Sequence, residues 1–299
     1  MAEGNLDWPE LLKGENALFG AVLDEDKAHA SDVRLTIIAA ESDVTIASDP
    51  IKFGETPHPE VNGGRAISNA LYLGFGPITY SKGTTIIKKY IRPSSKATLS
   101  LTIPREKEDL FSLILQLIEA FGTIGSRSRN GWGSIALSGR GFNRAPMNSF
   151  KTQPLTELVN GIKQYPAHLG ADDKKLLCWE IKPQAKWELA MQSLAEIYLQ
   201  IRTNINVAPQ GLQQRHVLGY PVTNHTVEGW GGFTARMPSQ LRLMVKRNPD
   251  NLLVGRILHL PHKLSKPWDN KLGTELEVWQ KVHKLLDNNT MLHRCGGTR

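Results

Sequence analysis

The feature that most constrains this chain is a segment rich in glycine and arginine, Gly122–Gly133, which lies between a helical pattern and a strand pattern. Before it, Arg105–Phe121 begins with acidic residues, as helix N-termini favour, and has apolar residues at helical spacing: Leu110, Leu113, Leu117 and Phe121. After it, Ser134–Ser138 alternates apolar and small residues, which is typical of a short strand. The sequence therefore predicts a helix, a basic glycine-rich loop and a strand, in that order.

The composition of this loop indicates that it holds a polyanion backbone. Glycine lets a backbone approach a ligand closely and take up positive φ angles. Arg127 and Arg129 alternate and supply donors that phosphates accept in pairs. A purely structural turn would explain Gly125 or Gly133 but does not require the arginines, so we favour phosphate binding. No Gly-Lys-Ser/Thr ending follows, which disfavours nucleotide hydrolysis.

Trp132 lies inside the same loop and has two interpretations. A tryptophan among glycines more often packs against the protein than stacks on a base, and we keep base stacking as the minority alternative. Both interpretations leave the arginines as the main candidate ligands.

Composition narrows the function classes. The 299 residues carry a formal net charge of +7, which favours a polyanionic partner without requiring one. No apolar stretch approaches the about 20 residues needed to cross a bilayer, and the first residues lack a signal-peptide pattern. Cys178 and Cys295 are the only cysteines, which excludes a disulfide framework and a four-thiolate metal site within the chain. We therefore expect a cytoplasmic α+β protein.

Two domains are expected, and the first covers residues 1–145. Its pattern gives a helix over 8–20, strands over 33–39, 84–91 and 97–103, and then the helix, loop and strand described above. A glycine- and proline-rich stretch, 48–81, is predicted to be a long surface insertion. This order is most of a ferredoxin-like β-α-β-β-α-β unit of the RRM type, but its first strand and most of its first helix are missing.

The second domain, residues 146–299, opens with a proline-containing connector that has a helix near 155–165. A helix over 185–201 follows, and a last amphipathic helix covers 275–287. Between them, strands over 240–246 and 252–260 flank Asn248–Asn251, a strong hairpin signal. The sequence predicts a second α+β unit of the same general kind.

Two further segments carry weaker signals. The tip of the insertion, 62–77, contains Arg65 and is equally suited to cap a sheet or to lie over a nucleic-acid strand. The stretch Gly229–Ser239 repeats the chemistry of the first loop, with Trp230, Phe233 and Arg236, although a structural role for its glycines is slightly favoured. Lys82, Lys88 and Lys89 are expected to form a solvated face.

No catalytic centre, metal site or cofactor site is visible in the sequence. The nine histidines are scattered, and Pro261 interrupts the pair His259 and His262, near which no further metal ligands occur. No Ser–His–Asp set and no paired carboxylates can be argued from spacing. We therefore predict no catalytic residues, no metal and no cofactor.

The segment Gly125–Gly133 resembles the signature Gly-x-Arg-x-Arg-x-Gly-aromatic-Gly of the RAMP proteins of CRISPR systems, and within them the family of first subunits of the type III-B Cmr effector complex. Further matches occur in the same order along the chain: Leu18–Gly20, Ser31–Leu35, Tyr72–Gly76, Leu218–Pro221 and Arg236–Leu241. The chain departs from that family at its front, where a strand and an arginine- and tryptophan-rich helix start are missing.

The resemblance implies two ferredoxin-like domains, assembly with other RAMP subunits, and contact with CRISPR guide and target RNA in antiviral defence. It also implies a non-catalytic subunit whose neighbour cuts the target. The RNA-binding candidates are Gly125, Arg127, Arg129, Gly131, Trp132 and Gly133, with Arg65 and Arg236 as secondary residues.

Two alternatives stay open at the level of the sequence. One is a metal-independent endoribonuclease of the same superfamily that processes CRISPR-repeat RNA with a histidine as general base, for which His29 and His58 are the candidates. The other is a scaffold subunit that binds only proteins.

Overall fold

A computed structural model describes the chain in these ranges: 8–24, 27–40, 43–61, 63–82, 84–93, 95–139, 142–158, 169–173, 175–205, 211–220, 222, 225–231, 236–264 and 273–296. The helices of these ranges are α1 (Trp8–Phe19), α2 (Asn69–Gly74), α3 (Glu108–Phe121), α4 (Leu155–Leu158), α5 (Trp187–Asn204) and α6 (Glu275–Asp287).

Helices and small, mainly antiparallel sheets occur together, so the predicted α+β class is confirmed. The strands, in chain order, are β1 (Ala21–Asp24), β2 (Lys27–His29), β3 (Arg34–Ile38), β4 (Ile46–Ala47), β5 (Glu55–Pro57), β6 (Ala66–Ser68), β7 (Ile78–Ser81), β8 (Thr84–Ile87), β9 (Tyr90–Ile91), β10 (Thr98–Thr102), β11 (Gln153–Pro154), β12 (Gly170–Asp172), β13 (Lys175–Leu176), β14 (Cys178–Ile181), β15 (Leu241–Arg247), β16 (Leu253–His259) and β17 (Leu292–Arg294).

The chain divides into two compact units, and the second comprises Ile51–Thr84 and Leu117–Arg299. Its main sheet is antiparallel with strand order β15–β16–β14–β17. Since α5 connects β14 to β15 and α6 connects β16 to β17, the chain order is β-α-β-β-α-β. This order and pairing are those of a ferredoxin-like domain, as predicted for the C-terminal half.

The sheet and its two helices, α5 and α6, bury apolar side chains that form a core. Trp179 on β14 and Trp279 on α6 are fully buried, as is the inward face of α5 around Leu194. Gly255 on β16 lets α5 approach closely, because a Cβ there would lie 2.8 Å from the Cγ of Leu194. Thr274 and Glu277 form a capping box that fixes the start of α6.

The first unit comprises Met1–Pro50 and Thr85–Gln116. Its longest strand pairing is antiparallel, between β3 and β10. Leu35 and Ile37 on β3 are 57% and 64% exposed, so the described part of this unit leaves apolar strand residues uncovered. Within the ranges described, no further strand pairs with β3 or β10, and the incompleteness of the first ferredoxin-like unit stays a prediction.

The two compact units are each made of two separate chain segments, so their limits differ from the predicted boundary between residues 145 and 146. The insertion (48–81) was expected to cross the surface, but from Ile51 onward it belongs to the second unit. Phe53, Leu73 and Ile78 are buried there, so the insertion contributes side chains to a core although many of its other residues are exposed. The apolar residues of the insertion explain this burial, and the glycines and prolines between them made the segment resemble a surface loop in the sequence.

The predicted strand over 134–138 is wrong. Only Ser134 forms a bridge, to Thr123, and residues 135–139 adopt no regular structure. Side chains take the place of a partner strand: the N–H of Leu137 donates to the carboxylate of Glu119, and the carbonyl of Ile135 accepts from the ammonium of Lys246. Backbone groups satisfied in this way need no sheet.

Most other predicted elements are confirmed. Helices lie at 8–19, 108–121, 187–204 and 275–287, and the hairpin of β15 and β16 turns at the predicted residues. The predicted strand over 84–91 is two short strands, β8 and β9. Of the helix expected near 155–165, α4 covers the first four residues, and 159–168 lie outside the described ranges.

Candidate nucleic-acid interface

The glycine-rich loop (122–133) is a closed loop that begins where α3 ends. The N–H of Gly122 donates to the carbonyl of Ile118 at 2.7 Å and completes the helix. Thr123 then pairs with Ser134, and the N–H of Ile124 donates to the carbonyl of Gly133 at 2.8 Å. These contacts hold the two ends of the loop together, so the residues between them project as a unit.

The returning limb of the loop is attached to β15, the edge strand of the ferredoxin-like sheet. The N–H of Leu243 donates to the carbonyl of Arg129 at 2.8 Å, and the N–H of Gly131 donates to the carbonyl of Leu243 at 3.1 Å. The hydroxyl of Ser134 accepts from the N–H of Val245 at 2.9 Å. Main-chain pairing therefore fixes the position of Arg129 relative to the sheet.

The glycines of the loop differ in what they approach. A Cβ on Gly133 would overlap the carbonyl oxygen of Ile124, and one on Gly131 would lie 2.8 Å from the Sδ of Met191. Both have positive φ angles, as does Gly125 with a φ of +83°. A Cβ on Gly125 would have no neighbour within 4 Å. Gly131 and Gly133 thus approach protein atoms, whereas Gly125 faces open space.

Arg127 lies at the exposed tip of the loop in a constrained conformation. Its φ of +59° is in the left-handed region, which costs a non-glycine residue about 1 kcal/mol or more. Its guanidinium lies against Gly76, at the end of the insertion, where a built Cβ would be 3.4 Å from Nη2. The amide of Asn130 donates to the carbonyl of Leu73 at 3.1 Å and attaches the loop to the same segment.

Arg236, from the second glycine-rich segment (229–239), interacts electrostatically with Arg127. Partial burial lowers the pKa of Arg127, and the positive charge of Arg236 lowers it further. The structure therefore brings Arg127 and Arg236 within electrostatic reach of each other. Phe233, from the same segment, lies outside the described residues.

Arg242 is a member of this group that the sequence reasoning missed. It lies on β15, next to the attachment point of the loop, and burial together with the charge of Arg129 lowers its pKa. The signal was present in the alternation of β15, where Leu241 and Leu243 face one side and Arg242 the other. The sequence does not show that β15 pairs with the glycine-rich loop, so the position of Arg242 beside the loop could not be predicted.

Arg127 interacts electrostatically with Arg236, and Arg129 with Arg242, yet none of the four has a counter-ion in the described part of the chain. Elsewhere carboxylates neutralise the arginines Arg92, Arg144, Arg215, Arg256 and Arg294. Like charges held together without carboxylates repel one another, so an anionic ligand would stabilise this group, which we call the arginine cluster (Arg127, Arg129, Arg236 and Arg242).

Arg65, the remaining predicted cation, is exposed but does not join the arginine cluster by any described contact. Its main chain closes a turn in the insertion, where its N–H donates to the carbonyl of Val61 and its carbonyl accepts from the N–H of His58. Its role in RNA binding stays a prediction.

The indole of Trp132 is half-buried and packs against two other aromatic rings. Its ring centroid lies 6.0 Å from that of Phe53 and 5.4 Å from that of Trp187, and these two rings are 5.6 Å apart. The three rings join the insertion, the loop and α5. This is the arrangement that the packing interpretation expects, and it ties the loop to the ferredoxin-like domain.

The histidines proposed as a general base occupy other environments. The ring of His58 packs on Tyr72 at 6.0 Å, and Nε2 of His29 is 3.2 Å from the carbonyl of Ala17. The histidine that lies near the loop is His262, which shares a small cavity with Arg129 but is only 3% exposed. A general base must come within hydrogen-bond reach of its substrate, which this burial opposes.

The described ranges contain no group of three or more histidine, cysteine, aspartate or glutamate side chains placed to hold a metal ion. No helix in the same ranges is long and apolar enough to span a membrane. Cys178 and Cys295 are buried free thiols on neighbouring main-chain segments of the sheet.

Comparisons with known proteins give one similar structure. No protein-family model matches the chain, and neither does any curated protein sequence. The chain is similar to the crystal structure of Cmr1 from Pyrococcus furiosus in its apo form, with 17% sequence identity and a TM-score of 0.47. The match covers 97% of this chain and 84% of that one.

Proposed function

We propose that this chain is an RNA-binding, non-catalytic subunit of a type III CRISPR ribonucleoprotein effector complex, of the type III-B Cmr kind. In this role it contacts guide RNA, target RNA or both, and assembles with other RAMP subunits in the cytoplasm for antiviral defence. The single observation that carries the proposal is the arginine cluster, because Arg127 and Arg129 on a loop that bears the RAMP signature interact with Arg236 and Arg242, and none of the four has a counter-ion among the described residues.

The chemistry of the cluster favours a phosphate backbone over other anions. Guanidinium groups donate in pairs to phosphate oxygens, and several cations in a row match a chain of regularly spaced charges. Arg127 and Arg236 come from separate segments of the chain, so a ligand that contacts both must extend across the loop. A single-stranded RNA backbone meets these requirements.

Holding RNA fits the site better than cutting it. Metal-independent cleavage needs a base that reaches the 2′-hydroxyl, and the histidine near the loop is buried. The endoribonuclease alternative predicts cleavage of CRISPR-repeat RNA in the presence of a chelator. We expect intact RNA after incubation, and products would favour that alternative instead.

The test of the proposal is the salt dependence of RNA binding by Arg127→Ala/Arg129→Ala. Each lost phosphate contact flattens the slope of log K against log salt by about 0.7 for a single strand, so the double variant should lose about 1.4. Lys88→Ala/Lys89→Ala is the matched control, because both lysines are exposed and it removes the same charge.

We expect weaker binding and the flatter slope for the arginine variant, and the wild-type slope for the lysine variant. Equal slopes for wild type and arginine variant would overturn the role of the loop. Failure of the purified wild-type chain to retain RNA at low salt would favour the protein-only scaffold.

A further inference from the structure

A small cavity lies where the returning limb of the loop meets the ferredoxin-like sheet. Its volume is about 20 Å³, and its lining residues are Arg129, Pro238, Ser239, Arg242, Leu260 and His262. A cavity of this measure holds a group the size of one water molecule, since about 10–15 Å³ suffices for that. A whole phosphate is too large, but a single phosphate oxygen fits.

Two polar atoms of the lining residues are buried without a hydrogen bond. Nε of Arg242 and Nε2 of His262 have no partner among the described residues. A buried donor left unpaired destabilises the folded protein, so native proteins seldom leave one without a ligand or water. The Nε–H of a guanidinium is always a donor, and Arg242 therefore presents an N–H for which the described protein supplies no acceptor.

The polar groups already bonded in the lining narrow what the cavity accepts. The hydroxyl of Ser239 donates to the carbonyl of Leu241 at 2.9 Å, and Nδ1 of His262 is 3.4 Å from the carbonyl of Lys263. Burial lowers the pKa of the His262 ring overall, although hydrogen bonding to the carbonyls of Lys263 and Pro238 acts to raise it. The buried donor that this lining offers to a ligand is therefore the Nε–H of Arg242.

Charge favours an anionic oxygen over water. Arg129 acts electrostatically on both Arg242 and His262, and none of the six lining residues is acidic. Hydrogen bonds from a cation to an anionic oxygen are about twice as strong as neutral ones, and burial strengthens them. Water would satisfy the donors but leave the repulsion between the cations in place.

From these observations we infer that the cavity receives one non-bridging oxygen of an RNA phosphodiester, with Arg242 as the buried donor and Arg129 at the same site. This inference rests on the proposed function and adds to it: Arg242 becomes a ligand-contacting residue, and the RNA backbone continues from the loop tip to the edge of the sheet.

The protein-side test is Arg242→Gln in the full chain, measured by fluorescence anisotropy with a single-stranded RNA oligonucleotide over a salt series. Losing one buried, charge-assisted contact should weaken binding about tenfold and flatten the salt slope by about 0.7. Arg247→Gln is the matched control, because Arg247 lies on the same strand but donates to Asn251 at the hairpin turn. It should bind within about twofold of wild type.

A ligand-side test does not depend on folding of a variant. Replacing one non-bridging oxygen by sulfur at successive positions of the RNA introduces a larger and poorer acceptor, which a 20 Å³ cavity would reject. We expect one position to weaken binding to the wild type about tenfold and to have little further effect on Arg242→Lys, which keeps the charge but lacks the Nε–H.

The outcomes separate this inference from the proposed function. If Arg127→Ala weakens binding while Arg242→Gln and every sulfur substitution leave it unchanged, the cavity holds only water and the inference fails alone. If Arg127→Ala also leaves binding unchanged, both fail. A position-specific sulfur effect together with the Arg242→Gln loss supports both.

Discussion

Gly133→Ala tests whether the stability of the protein depends on the close approach of Gly133 to Ile124 at the base of the loop. A Cβ at this position overlaps the carbonyl oxygen of Ile124, whose N–H donates to the carbonyl of Gly133 at 2.8 Å. The φ of +65° adds about 1 kcal/mol of strain for alanine. Displacing the two strands of the loop base adds about 1–3 kcal/mol, and losing the hydrogen bond about 1 kcal/mol. We expect a loss of about 3–5 kcal/mol in the free energy of unfolding.

The matched control is Gly125→Ala, which has nearly the same backbone conformation but no atom within 4 Å of its new Cβ. It carries the strain alone, so we expect a loss of about 1 kcal/mol. Urea unfolding followed by far-ultraviolet circular dichroism gives both values, provided that the m-value is unchanged. Equal destabilisation by the two substitutions would refute the close approach at Gly133.

Three further outcomes follow from buried groups. Burial lowers the pKa of Lys246 from 10.5 to about 8, so the unfolded chain binds this proton more tightly than the folded chain. The free energy of unfolding should therefore rise by about 3 kcal/mol from pH 8 to pH 10.5. In urea unfolding, Lys246→Met should not show this rise. Glu60→Gln leaves the guanidinium of Arg215, 2% exposed, without its carboxylate, and should cost about 3 kcal/mol at pH 7 in the same assay; a loss below 1 kcal/mol would contradict the buried pair. Trp132→Leu should cost about 2 kcal/mol but keep RNA affinity within twofold by anisotropy, whereas a fivefold loss would favour base stacking.

Glu60 contributes to the pH dependence of stability with the same sign as Lys246, because the folded-state pKa of each group is lowered and stability therefore rises with pH. Burial pushes the pKa of Glu60 up, but the hydrogen bond and charge of Arg215 outweigh it and the net pKa is lowered. A carboxyl with a lowered folded pKa stabilises the protein above its ordinary pKa, and this stabilisation is lost as the pH falls through the folded value. Glu60→Gln should therefore be less sensitive to acid than the wild type.

Helices and hairpins whose caps, turns and apolar faces lie close together in the sequence were predicted correctly. The helix Glu275–Asp287 has its capping box and apolar face within 14 residues, and the hairpin of β15 and β16 has its turn in Asn248–Asn251. The strand expected after the loop failed for the opposite reason. Its alternation is real, but Glu119 and Lys246, distant in sequence, satisfy its backbone groups.

The candidate site was predicted in part for a similar reason. Arg127 and Arg129 stand in a recognisable motif, and Arg236 in a second glycine-rich segment. Arg242 and His262 are brought to the loop only by its pairing with the edge strand, a long-range contact that no spacing encodes. The glycines of the motif likewise divide into internal and open positions only once their neighbours are known.

Photocrosslinking of 4-thiouridine RNA to the wild-type chain, followed by mass spectrometry of the linked peptides, tests the central claim most directly. The account predicts crosslinks within residues 124–133 and 236–242, which surround the arginine cluster. Crosslinks confined to the lysine-bearing segment 82–89, with none in the glycine-rich loop, would contradict it.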